Sequence, residues 1–371
     1  MEKRHYKVLG LMSGSSLDGL DLAFCNFVLE EGLEALSWEL IAADTFPFSP
    51  QWVSRLHHLA QQDALTFAKT HAYFGHYLAE LSQQFLYKHQ LKPDFIASHG
   101  HTIFHYPDQR LSVQVGDGAS LAVLTGLPVV SDFRTQDVAI DGEGAPLAPL
   151  ADYYLFRGYD YYLNLGGIAN ISALNGQRPV AFDVGPANQV LNALAQLRER
   201  PYDDGGALAR RGTVQEDLLE SVDALPYFGQ VYPKSLDNNW VRQRVLPLYL
   251  QHPASPEDKL RTACEQLARQ VRRAIALIGQ QEKLPLRPEV PTSSLYLTGG
   301  GAFNHFLVER IDQLCEPLGV SSIIPSEKII QFKEAILIAL LGVLRMERKV
   351  NCWSSVTGAK RNTIGGSVYW A

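Results

Sequence analysis

The sequence predicts an α/β fold of two similarly built domains, each a mixed sheet flanked by helices, facing a cleft between them. Three observations lead there. The chain opens strand, turn, strand and then alternates helix and strand, the pattern of layered α/β folds with a mixed sheet. The same order restarts in "YDYYLNLGGIANISAL", near residue 159. The length, 371 residues, exceeds one typical core and is comfortable for two. Duplication is inferred from the order of elements alone.

Each element follows from its pattern. Apolar runs at residues 6–12 and 20–28 read as strands, and "LSWELIAADTFPF" holds a third. Over 51–90, Trp52, Leu56, Leu59, Leu65, Phe67, Phe74, Leu78, Leu81 and Phe85 recur at helical spacing. "PDFIASHGHT" is a strand ending in a polar loop, "LSVQVGDGASLAVLTG" a strand, turn and helix, and "LPVVSDFRTQD" a strand with charges at its end. "PVAFDVGPANQVLNALAQLRE" is a strand that breaks at Gly185 and Pro186 and turns helical from about Asn188. Residues 210–285 are mostly helical. "SSLYLTGGGAFNHFLVERI" is a strand, a triple-glycine turn and a helix. "KEAILIALLGVLRMERK" is a largely apolar helix opened by Lys333 and Glu334, and "NCWSSVTGAKRNTIGGSVYW" reads as loop.

Composition narrows the function classes. Apolar residues make up 46% and charged residues 19% of the chain, a globular balance. A net charge of −6 argues against a dedicated nucleic-acid binder, whose mark is a basic patch. It leaves room for an anion held by backbone N–H groups. Cys25, Cys264, Cys315 and Cys352 lack metal or redox spacing and read as thiols of a reducing compartment. The first residues do not resemble a signal peptide, and the longest apolar run, 335–344, is about half a bilayer span. A cytoplasmic protein without nucleic-acid or membrane partners is expected.

The polar segments carry the chemistry. The loop Ser13, Gly14, Ser15, Ser16, Leu17, Asp18, Gly19 offers close backbone approach, hydroxyl donors and a carboxylate able to take Mg²⁺ through water. A single loop of this kind is more often a plain hairpin turn. Recurrence favours function: Gly166 and Gly167, and Gly299, Gly300 and Gly301 with Asn304, also follow apolar strands. None is a Walker A loop or a dinucleotide fingerprint. Asp183 at a strand end suits a general base, and equally a turn cap. Ser98, His99 and His101 read as a polar pocket wall. A serine hydrolase is disfavoured, for no serine lies in a G-x-S-x-G elbow. Arg134 suits a ligand carboxylate, or an ion pair with Asp132 or Asp137, which is slightly favoured. Glu334 in a first helical turn is explained by the macrodipole alone.

In this order "GLMSGSSLDGLD", "SHGHTIFH", "PVVSDFRTQDVAIDGEGAPLAP", "LNLGGIANIS", "AFDVGPANQVLN", "PKSLDNNW", "LTGGGAFN" and "KEAILIALL" resemble the anhydro-N-acetylmuramic acid kinases of the sugar kinase/Hsp70/actin superfamily. The resemblance runs nearly end to end. It implies two RNase H-like (actin-like ATPase) domains, 1–140 with about 346–371 and 141–345, holding ATP and a sugar. The implied reaction opens 1,6-anhydro-N-acetylmuramate with water and phosphorylates the freed O6, giving N-acetylmuramate 6-phosphate and ADP in peptidoglycan recycling.

By position, Asp183 matches the family's base and Glu334 a second acidic group near the sugar. Residues 14–19, Gly166 and Gly167 match phosphate loops, with Asp18 toward Mg²⁺. Gly299, Gly300, Gly301 and Asn304 match the adenosine side. Ser13, Ser98, His99 and Arg134 match the sugar pocket, Arg134 toward a lactyl carboxylate. Homodimers are implied as well. The chain departs from the family at Ser15, His101, Gln136, Ala187, Asn192 and 236–239. A kinase of another amino sugar or sugar acid is the alternative, and an ATP-dependent assembly protein a third reading.

Overall fold

The computed structural model describes residues 3–14, 17–30, 35–173, 180–282 and 293–371. Its strands are β1 (Arg4–Ser13), β2 (Gly19–Glu30), β3 (Ala35–Pro47), β4 (Phe95–Tyr106), β5 (Leu111–Val115) and β6 (Val129–Ser131). There follow β7 (Tyr161–Leu165), β8 (Ile168–Ala173), β9 (Val180–Pro186), β10 (Ser293–Thr298), β11 (Val320–Ile323) and β12 (Ser367–Tyr369). They form two sheets, ordered β12-β6-β4-β1-β2-β3, with β5 on β4, and β11-β10-β7-β8-β9.

The two sheets repeat one design. In the first, β1–β2 and β2–β3 are antiparallel while β1–β4 and β4–β6 are parallel. In the second, β7–β8 and β8–β9 are antiparallel while β7–β10 and β10–β11 are parallel. Three antiparallel strands followed by two parallel ones, in the order 3-2-1-4-5, define the RNase H-like fold. The duplication inferred from element order is therefore real at the level of strand order and sense.

The chain divides into two compact units, 1–157 with 332–371, and 158–331. Residues 141–157 and 332–345, assigned to the second domain on sequence grounds, thus lie in the first unit. Two contacts explain why. Lys333 pairs with the buried Asp152 at 2.7 Å. A Cβ on Gly10 of β1 would fall 2.1 Å from the Ala335 carbonyl oxygen in the helix Glu327–Met346. Strand and helix meet so closely that only glycine fits. Each unit has its own core, one around Leu9, Leu22, Phe74 and Phe85, the other around Tyr161, Leu163, Phe228 and Leu267.

Local chemistry moved several boundaries. The helical stretch 51–90 is two helices, Pro50–His57 and Ala64–His89, because Asp63 caps the second by accepting from Thr66 N–H at 2.9 Å. β4 continues through the histidines because β5 pairs antiparallel with residues 101–106. β9 runs on to Pro186, since an edge strand tolerates proline at its end. The tail is not all loop, for β12 pairs with β6 through Val368 and Val130. Glu334 does not open its helix, which begins at Glu327, so the macrodipole no longer explains it. All four cysteines are buried and unpaired. Among the described residues no helix is long and apolar enough to cross a membrane.

Candidate active site

In the first unit the predicted residues gather at the ends of β1 and β6 and along β4 where its parallel pairing with them stops. Ser13 closes β1 with its hydroxyl 2.9 Å from His101 Nδ1. The loop then turns through Leu17, whose N–H donates to the Gly14 carbonyl at 3.3 Å and whose φ is +58°. That left-handed value is rare for a leucine and marks a locally constrained bend. Ser15 and Ser16 lie outside the described residues. Asp18 leads into Gly19 at the start of β2, and Asp21 follows, accepting from Thr45 Oγ1 at 2.6 Å. Burial raises the Asp21 carboxyl pKa, and the charges of Asp18 and Glu334 push it the same way.

This arrangement fits a hydrated divalent cation. The donors are all carboxylate oxygens, and their mutual repulsion is what a cation relieves. Among the described residues no group of three or more His, Cys, Asp or Glu could hold a metal by itself.

The histidine segment is shaped by Gly100, at φ +69°, where a Cβ would lie 2.5 Å from the Val115 carbonyl oxygen. Ser98 is fully buried and accepts from the Gly100 N–H at 3.3 Å. His99 donates from Nδ1 to the Gly100 carbonyl at 3.1 Å and accepts at Nε2 from Arg134 Nε at 3.0 Å. Burial, with the Arg134 charge, pushes its pKa down to about 3. Burial holds His101 at about 4. Both rings are neutral at pH 7.

Arg134 forms neither ion pair foreseen for it. Asp132 accepts from Thr135 Oγ1 at 2.5 Å, and Asp137 from Gly144 N–H and Thr357 Oγ1. Arg134 Nη1 donates instead to the Gly144 carbonyl at 2.7 Å. Glu334 is exposed on its helix and close enough to act on the charges of both Arg134 and Asp21.

In the second unit two glycine bends meet at the ends of the neighbouring strands β7 and β10. The helix Asn188–Ala195 begins against the first: Ala187, Asn188 and Gln189 donate their N–H groups to Gly167, Gly166 and Gly167 carbonyls at 2.9, 3.0 and 3.1 Å. Gly299 has φ +81° and packs on Asn164 and Leu165, and Gly301 packs on Leu165. Asn188 bridges the bends, donating Nδ2 to the Leu165 carbonyl at 3.0 Å beside Gly300 and Gly301. Sequence reasoning did not single out this residue. The available signal was an asparagine inside a helix start, where Ala187 holds the cap position. Asn304 caps the helix His305–Cys315, accepting from Leu307 N–H at 3.0 Å.

Asp183 lies in β9, half-buried. Its Oδ2 accepts from Leu236 N–H at 2.8 Å, its N–H donates to the Lys234 carbonyl at 3.2 Å, and its carbonyl accepts from Tyr227 Oη at 2.6 Å. Lys234 Nζ sits 4.5 Å from the Tyr227 ring centre. Burial raises the Asp183 pKa, while the Leu236 N–H and the Lys234 charge pull it back. The segment "PKSLDNN" thus grips this aspartate, a role its sequence alone did not announce.

Two RNase H-like units with glycine bends and carboxylates at their strand ends define a protein of the actin-like ATPase and sugar kinase class. The family description "Anhydro-N-acetylmuramic acid kinase" matches residues 6–371, and the chain belongs to that family. It is 34% identical to an anhydro-N-acetylmuramic acid kinase of Coxiella burnetii, covering 100% of this chain and 98% of the relative. It is also 34% identical to one of Gloeobacter violaceus, covering 97% and 98%. A solved structure, the activator of the 2-hydroxyisocaproyl-CoA dehydratase from Clostridium difficile with bound ADPNP, matches at TM-score 0.40 and 14% identity over 92% of this chain and 96% of that one.

Proposed function

We propose that this protein is an ATP-dependent kinase that opens 1,6-anhydro-N-acetylmuramic acid with water and phosphorylates its O6. The products are N-acetylmuramic acid 6-phosphate and ADP, and the reaction serves cell-wall recycling. The observation that carries this reading is Asp183, a half-buried carboxylate with one oxygen fixed by a backbone N–H, in a chain matched to the family from residue 6 to 371.

Asp183 acts as general base: it takes a proton from the water that attacks the anomeric carbon. The C1–O6 bond breaks, helped by strain in the bicyclic sugar, and O6 becomes the nucleophile for the γ-phosphoryl group of ATP. Glu334 serves as the second acidic group toward the sugar. Arg134 holds an anionic group of the substrate, with Ser13, Ser98 and His99 forming the surrounding wall. Residues 14–19, Gly166 and Gly167 supply backbone donors to the phosphates, and Gly299, Gly300, Gly301 and Asn304 shape the nucleoside side. Gly167 supports this role, because a Cβ there would meet nothing within 4 Å, so packing does not require glycine. Asp18, with Asp21, would hold Mg²⁺, which supplies charge neutralisation for phosphoryl transfer. A homodimer in the cytoplasm completes the reading.

Coupled ADP release tests it. ADP must appear only when the anhydro sugar is present and not with simple hexoses. Equal release with hexoses, or release without sugar, overturns the substrate assignment.

A further inference from the structure

Arg134 sits on no helix or strand that would hold its head group. What holds it, together with His99, is a turn, and the Asp137 carboxylate holds that turn at Gly144. Asp137 is fully buried, at 0% exposure, and both its carboxylate and its carbonyl hold residues 142–144. Gly142 N–H donates to the Asp137 carbonyl at 3.0 Å, Glu143 N–H to the Thr357 carbonyl at 2.8 Å, and Gly144 N–H to Asp137 Oδ2 at 2.8 Å. Three successive N–H groups are therefore fastened. Thr357 Oγ1 donates to Asp137 Oδ1 at 2.9 Å, so both carboxylate oxygens are used. The turn lies so near that a Cβ on Gly142 would fall 2.1 Å from Asp137 Oδ2.

The far side of this turn is the Gly144 carbonyl, which accepts from Arg134 Nη1 at 2.7 Å. With Nε donating to His99 Nε2 at 3.0 Å, the guanidinium is pinned at two of its donors. Among the described residues its remaining Nη1 hydrogen and both Nη2 hydrogens make no hydrogen bond. A side-by-side pair of that kind is what a carboxylate or phosphate takes in bidentate fashion. Glu334 offers an unpinned guanidinium a competing attraction. His99 spends both ring nitrogens inside the protein, so in this arrangement it orients Arg134 and has no free nitrogen for a ligand.

We propose that Asp137 is a positioning residue for substrate recognition: it fixes the 142–144 turn so that the Gly144 carbonyl and His99 aim the free edge of Arg134 at an anionic group of the substrate. The inference rests on the reading of Arg134 as a substrate-binding residue. It adds Asp137, Thr357 and Gly144 to the machinery, none of which touches the substrate.

A double-mutant cycle in the coupled ADP-release assay tests it, using Asp137→Ala, Arg134→Met and the pair. Asp137→Ala is expected to raise the KM for the anhydro sugar by roughly ten- to a hundredfold, the scale of a misplaced binding group, with the KM for ATP unchanged. In the Arg134→Met background the same substitution must add no further change in sugar KM. Asp137→Asn should recover most of the loss, its Oδ1 accepting from Gly144 and its Nδ2 donating to Thr357. An unchanged sugar KM, or equal effects in both backgrounds, overturns the proposal. If Asp137→Ala does not fold, Thr357→Val removes one contact and must give a smaller shift with the same dependence on Arg134. A wild type without sugar-dependent turnover sinks the functional reading and this inference together. A wild type that turns over with an additive cycle sinks this inference alone.

Discussion

Replacing Asp183 by asparagine separates its chemistry from its structural contacts. The amide keeps an oxygen to accept the Leu236 N–H, now at 2.8 Å. The contacts to Tyr227 and Lys234 use main-chain atoms of residue 183, at 2.6 and 3.2 Å, and are untouched. The ground state should therefore persist, with nucleotide affinity and thermal midpoint near wild type. What disappears is the proton acceptor. General-base catalysis contributes about 10²–10⁴-fold, so kcat should fall by that factor, roughly 3–5 kcal/mol in activation free energy. The assay is ADP release with saturating ATP and anhydro sugar, run beside a thermal melt. A variant that keeps more than about a tenth of the wild-type kcat refutes the base assignment. So does a loss of activity matched by a loss of folded protein.

The remaining predictions probe the surroundings. The base must be ionised to work, so activity falls on the acid side, and that limb should lie above the ordinary aspartate value of 3.8 because burial raises the Asp183 pKa. Lys234→Met removes a charge that lowers this pKa, so the limb should move further up in a kcat/KM profile against pH; an unmoved limb would show that Lys234 does not tune the base. Asp152→Ala strips the buried partner from Lys333, and chemical denaturation should register a loss of about 3–5 kcal/mol, the scale for breaking a buried pair from one side. Gly299→Ala forces a Cβ to within 2.5 Å of Asn164 Oδ1 at φ +81° and should cost about 1–3 kcal/mol. Gly167→Ala meets nothing within 4 Å and should leave the melt alone while raising the KM for ATP.

The elements with strong periodicity were legible, and the sites on them less so. β1, β7 and β10 are evident as apolar runs ending in glycine-rich bends, and β2 as the apolar run after the first bend. The strand carrying Asp183 was evident too, but not its continuation through Pro186, because proline signals a break unless the strand is known to be an edge. On sequence grounds the helix of Glu334 begins beside it, which lets the macrodipole explain the residue, whereas the helix begins at Glu327. The preceding residues, Glu327 to Phe332, mix charged and apolar side chains too evenly to announce a helix. The grip of Lys234 and Leu236 on Asp183 was invisible because it uses their backbone groups, which any sequence supplies. Arg134 illustrates the same point. Asp132 and Asp137 stand close in sequence and suggest ion pairs, yet the buried Asp137 serves backbone N–H groups and Thr357 instead.

The repeated strand order sets where the candidate site residues fall. β1 corresponds to β7, β4 to β10, and β3 to β9. In parallel α/β layers the carboxyl ends of the strands leave backbone groups free for ligands. The bend after β1 holds Gly14, Leu17 and Asp18, and the bend after β7 holds Gly166 and Gly167. β4 carries Ser98, His99 and Gly100 where β10 ends at Thr298, Gly299 and Gly300. The two copies then diverged in what they place there. The first copy received buried imidazoles and a guanidinium, which suit a shaped anionic and hydroxylated ligand. The second received glycines and amides, which on our proposal take the phosphate chain together with the bend after β1, and it also carries Asp183. If that division of labour holds, substitutions at His99, Arg134 and Asp137 should move the sugar KM and spare the ATP KM, and substitutions at Gly167 and Asn188 should do the reverse. A set of variants in which both constants moved together would mean that the two copies had not specialised at all.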